Sequence, residues 1–73
     1  MKLPALKPKE VVGMLKRAGY FKVRQRGSHG NFSHPDRPTI VSVPIHNRDL
    51  KMGTLRGIIK QTGMEAKDFL KLR

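Results

Sequence analysis

The sequence predicts an α+β domain: a helix, three antiparallel strands, a second helix and a short third one. Three observations carry this. Apolar residues recur at helical spacing over residues 8 to 18, the period falls to two in "FKVRQR", and helical spacing returns at Leu55, Ile58 and Ile59. Strands bracketed by helices in this order favour an antiparallel sheet with both helices on one face and the other face open to water.

The first helix, 8 to 18, begins where Pro8 suits a first helical residue, and Val11, Met14, Leu15 and Ala18 form its apolar stripe. Gly19 supplies a left-handed stop. A first strand follows, in which Phe21 and Val23 alternate with Lys22, Arg24 and Arg26. Gly27-Ser28 fits a two-residue hairpin turn of type II′, with glycine first, so a second strand runs from about 29 to 34. "HPDRPT" turns the chain again, and "TIVSV", 39 to 43, is the third strand, ended by Pro44. Residues 45 to 51 form a polar connection with an apolar anchor or two. The second helix buries Leu55, Ile58 and Ile59, wets Arg56 and Lys60, and stops at Gly63, while Phe69 and Leu70 call for one or two further helical turns.

Composition narrows the functional classes. A chain of 73 residues without internal repeats or linkers is expected to be one domain, 1–73, hiding about 60% of the surface its unfolded form exposes. Cysteine is absent, which removes disulfides and thiolate metal sites and suits a reducing cytosol. No stretch approaches the ~20 apolar residues of a membrane span and the start lacks a signal-peptide run, so a soluble, cytoplasmic protein is expected. Sixteen Lys and Arg against five Asp and Glu give a net charge of +11, which favours a polyanionic partner, nucleic acid first. A membrane surface fits less well, because tryptophan is missing and no helix has a strongly basic, aromatic-faced pattern.

The hairpin register then assigns faces. With Gly27-Ser28 as the turn, Arg26 opposes His29, Arg24 opposes Asn31 and Val23 opposes Phe32. Parity puts Phe21, Val23 and Phe32 on the core side and Lys22, Arg24, Arg26, His29, Asn31 and Ser33 on the open side. His29 thus stands among cations. An imidazole that can take a proton near neutral pH, beside guanidiniums that can hold a phosphate, is the apparatus for deprotonating a ribose hydroxyl. His34 has the opposite parity and reads as structural, and His46 lies on a separate connection, so no zinc site from these three is expected. Five scattered acidic residues do not suggest a magnesium cluster either. No cofactor is expected.

"LKRAGYFKVRQRGSHGNFSHPD", then "VSVPIH", then "LKMGTLRGIIKQTGM" and "FLKL" resemble the HicA toxins, small ribonucleases of HicA/HicB toxin–antitoxin systems, over nearly the whole chain. The resemblance implies a fold like the double-stranded RNA-binding domain, metal-independent cleavage of mRNA, and inhibition by a HicB-like antitoxin, with any DNA contact made indirectly through that antitoxin. The family's catalytic histidine, in "GSH", falls on His29. Arg24, Arg26, Ser28, Asn31 and Lys51 are the accompanying candidates for RNA binding, with Arg48, Arg56 and Lys60 also available near the second helix. Gly30 departs from the family, whose members often carry a bulkier residue after "GSH"; it marks a bulge or a close backbone approach. Two other readings stand beside the nuclease: a non-catalytic double-stranded RNA-binding module using the same charge, and an inactive regulator acting within a DNA-bound complex.

Overall fold

The computed structural model describes residues 2–73. Six elements follow in order: α1 (Pro8–Arg17), β1 (Phe21–Arg26), β2 (His29–His34), β3 (Arg37–Pro44), α2 (Met52–Thr62) and α3 (Ala66–Leu70). The strands form one antiparallel sheet in the order β1-β2-β3. This is the expected α+β architecture.

Helix α1 begins on Pro8, and the Glu10 carboxylate accepts the Lys7 backbone N–H at 3.2 Å, satisfying one of the donors a helix start leaves free. Val11, Met14 and Leu15 are fully buried. The chain leaves the helix through Gly19 at φ 98°, where a Cβ would stand 2.8 Å from His34 Nε2. Both the backbone angle and the histidine therefore require glycine.

Helix α2 ends on Gly63 at φ 75°, and its last turn is tied down by side chains. The buried Thr62 hydroxyl donates to the Ile59 carbonyl and accepts the Met64 N–H at 3.1 Å. The Arg37 guanidinium donates to the Thr62 carbonyl at 2.6 Å, joined by the Tyr20 hydroxyl at 3.5 Å. A cation at the negative end of a helix is doubly favourable, as a hydrogen-bond donor and as a partner for the dipole. Arg37 is thereby committed to structure.

The core lies between the helices and one sheet face, where Phe32, Val41 and Val43 meet the apolar stripes of α1 and α2, with Phe69 of α3 closing it. Burying a side chain of this size contributes about 1.5–3 kcal/mol. Leu3 and Leu6 also enter the core, and the Leu6 carbonyl accepts the Leu50 N–H at 2.8 Å, so the segment before α1 is packed rather than free. Leu50 is the anchor expected in the connection. On the outer edge of β3, Gln61 of α2 accepts the Ser42 N–H at 3.3 Å, partly covering an edge that would otherwise offer unpaired donors.

One register expectation is overturned. The ladder pairs Phe21 with Ser33, Lys22 with Phe32 and Arg24 with Asn31, leaving Val23 as an extra residue in a β-bulge. Val23 therefore does not oppose Phe32. The extra residue reverses parity at the start of β1: Phe21 and Val23, expected in the core, are 50% and 49% exposed, and Lys22 turns to the helix side. Tyr20 takes the core place that Phe21 was expected to fill, only 3% exposed and edge-on to His34 at 5.1 Å.

Candidate functional site

The hairpin turn positions the histidine. Gly27 has φ 55°, and among the described residues no side-chain-bearing residue has positive φ, so Ser28 takes the ordinary region as type II′ geometry requires. The Ser28 carbonyl accepts the Ile45 N–H, which fastens the turn to the segment after β3. His29 opens β2 immediately beyond, opposite Arg26 on β1 and Pro44 on β3. It is exposed, while the next residue, Gly30, is buried on the helix side. The imidazole stands on the open face.

Asn31 follows on the same face, half-buried between Arg24 on β1 and Ser42 on β3. The expected pairs Arg26–His29 and Arg24–Asn31 are thus present, because the bulge lies before them in β1 and leaves the hairpin end in register. Neither arginine has an acidic partner: the three salt bridges among the described residues all lie elsewhere, at Lys67–Glu65, Lys71–Asp68 and Arg73–Glu10. Their charge is available to an anion. At Gly30 the ladder is regular, and a Cβ there would meet Phe32 Cε1 at 3.2 Å and Lys22 Cε at 3.5 Å. The glycine is therefore not at a bulge, and what crowds it is side chains rather than a second backbone.

The other sequence candidates separate from this cluster. Ser28 is exposed in the turn itself, with its carbonyl engaged by Ile45. Lys51 is the exposed N-cap of α2, on an element packed against the opposite sheet face. Arg56 and Lys60 rim a groove with Leu3, Ile59, Met64 and Ala66, also away from the open face. His34 Nδ1 accepts the Asp36 N–H at 3.0 Å, and His46 Nδ1 accepts the Arg48 N–H at 3.1 Å. Both are local turn fastenings. Among the described residues no three His, Asp or Glu side chains gather as a metal-ligand set.

Sequence reasoning missed an apolar neighbour of the histidine cluster. Val23 and Ile40, 45% exposed, line an open-face groove of about 300 Å³ with Arg24 and Asn31, and Phe21 continues the same face opposite Ser33. The signal for Ile40 was present in "TIVSV", since two buried valines at 41 and 43 force it outward. Nothing local announced the bulge that brings Phe21 and Val23 beside it.

No helix among the described residues is long and apolar enough to cross a membrane. A comparison with curated proteins gave no significant match. The family model described as the HicA toxin of bacterial toxin–antitoxin systems matches residues 8–64, from the first residue of α1 to just beyond α2, and so spans every strand and the whole histidine cluster. Membership of such a pair implies an antitoxin partner. The chain belongs to the HicA toxin family.

Proposed function

We propose that this toxin is an endoribonuclease that cleaves mRNA in the cytoplasm without a metal ion, and that a HicB-like antitoxin restrains it. One observation carries the reading: an exposed imidazole on the open sheet face, directly across the hairpin from an arginine with no acidic partner. In the reaction, His29 removes the proton from a ribose 2′-hydroxyl, and the 2′-oxygen attacks the adjacent phosphorus. The bond to the 5′-oxygen breaks, and that oxygen takes a proton from water, to which the site is open. The products are a 2′,3′-cyclic phosphate and a 5′-hydroxyl.

Arg26 and Arg24 hold the scissile phosphate and its developing negative charge, with the Asn31 amide beside them and Ser28 at the turn above. Lys51, on the helix side of the sheet, lies outside this site and adds only to the general positive charge that attracts RNA. A single general base contributes about 10² to 10⁴ in rate, so a slow enzyme is expected. The antitoxin's function is to cover this face, and the net charge of +11 favours an acidic partner surface.

The test uses purified protein, single-stranded RNA and EDTA. Cleavage should persist with EDTA, yield cyclic-phosphate ends and fall by at least 10²-fold in His29→Ala, with RNA affinity within about twofold of the parent. His29 is exposed and fastens nothing, so its loss should leave folding stability within about 0.5 kcal/mol. Absence of cleavage by the parent protein overturns the reading in favour of the non-catalytic double-stranded RNA-binding module, and EDTA-sensitive cleavage overturns its metal-independent form.

A further inference from the structure

We infer that the apolar groove beside the histidine is a nucleobase platform, so that the toxin engages its RNA as an unpaired strand with one base seated on Phe21, Val23 and Ile40. The inference rests on the ribonuclease reading above and specifies the substrate further. Four large hydrophobic side chains are conspicuously exposed among the described residues, and three of them share this one face: Val23 and Ile40 line the groove, and Phe21 lies next along the face opposite Ser33. Apolar side chains gathered on a surface mark a contact rather than chance. The bulge is what gathers them, since a regular ladder would have turned Phe21 and Val23 toward the helices.

The occupant follows from what lies among and beside these side chains. Arg24 and Asn31 line the same groove, and Arg26 and His29 come next along the hairpin. Such a surface suits a ligand that is flat and apolar at one end and anionic at the other. A nucleotide has that form, and the molecule's net charge of +11 draws it from a distance. Phe21 offers an aromatic ring for stacking, Arg24 a guanidinium plane and charge, and Asn31 a donor and an acceptor for a base edge. Successive same-face positions on a strand are about 6.6–6.8 Å apart, so a base near Asn31 and Ser33 leaves its neighbouring phosphate within reach of His29. A-form duplex RNA keeps its bases stacked inside and presents phosphates and 2′-hydroxyls, which would leave this apolar cluster unfilled.

The experiment measures binding on the His29→Ala background, where the RNA stays intact, using a short single-stranded oligonucleotide carrying one 2-aminopurine and a duplex of matching sequence. Adding Phe21→Ala should weaken single-strand affinity about 5- to 100-fold, abolish quenching of the aminopurine, and leave duplex affinity within about twofold. Phe21→Tyr should restore both readouts, whereas Phe21→Leu, apolar but not aromatic, should not. Phe21 is half exposed, so circular dichroism of each variant should match the parent. If Phe21→Ala leaves single-strand affinity and quenching unchanged while binding remains salt-sensitive, the RNA is held by phosphates alone and the platform is overturned with the nuclease reading intact. Loss of antitoxin binding without loss of RNA binding overturns it in favour of a protein contact. Failure of the protein to bind either RNA overturns both readings together.

Discussion

Arg37→Ala tests whether the end of α2 is held by the guanidinium. Arg37 opens β3, and its Nη1 donates to the Thr62 carbonyl at 2.6 Å, at the negative end of the helix. Thr62 is 1% exposed with Arg37 in place, and the Tyr20 hydroxyl at 3.5 Å is too distant to compensate in full for the lost donor. A hydrogen bond from a charged donor contributes about 1.5–3 kcal/mol. Because the rest of the Arg37 side chain stands in water, the lower end applies, about 1.5 kcal/mol. For a domain of this size that lowers Tm by roughly 6–12 °C. Urea denaturation of both proteins gives the free energy, and calorimetry gives Tm. Arg37→Lys should recover part of the loss, since an ammonium retains the charge but not the planar fork. RNA cleavage per folded molecule should be unchanged, because the guanidinium is directed away from the open face. A stability change below about 0.5 kcal/mol would show that the contact is incidental, and a fall in cleavage by the folded protein would show that Arg37 belongs to the RNA surface.

Three further outcomes follow from the same geometry. Gly19→Ala should destabilise more than Gly27→Ala: both have positive φ, at about 1–2 kcal/mol, but only at Gly19 would the added Cβ also meet His34, at 2.8 Å, while a Cβ at Gly27 meets nothing within 4 Å; equal losses in urea would refute the histidine contact. Burial raises the Tyr20 phenol above its ordinary pKa despite the opposing charge of Arg37. The unfolded chain then loses the phenolic proton first, so stability should be full below about pH 10 and decline as pH rises through the folded value, which denaturation at alkaline pH with simultaneous phenolate absorbance would follow. Arg26→Ala should reduce the slope of log affinity against log salt for single-stranded RNA by about 0.7, the effect of one lost phosphate contact, and an unchanged slope would remove Arg26 from the phosphate site.

Much of the architecture follows from short-range rules that act within a few residues. Pro8 starts a helix and Gly63 stops one because their backbone angles are fixed or permitted locally, and Gly27 makes a tight turn for the same reason. Counting outward from that turn, the sequence by itself determined that His29 faces Arg26 and Asn31 faces Arg24, since two-residue hairpins fix register at their own end. It also determined the charge that favours a polyanion.

What only the tertiary structure decided lies farther from the turn. Phe21 and Val23 look like core residues by alternation, yet a single extra residue in β1 sends them to the open face, while Tyr20 takes the core place within reach of Thr62 at the end of α2. Arg37 looks like one more surface cation until the end of α2, twenty-five residues away along the chain, supplies the carbonyl it serves. In both cases the deciding partner is remote in sequence. Local pattern can state which side chains are greasy or charged, but which of them a given face receives depends on the summed fit of the packed elements.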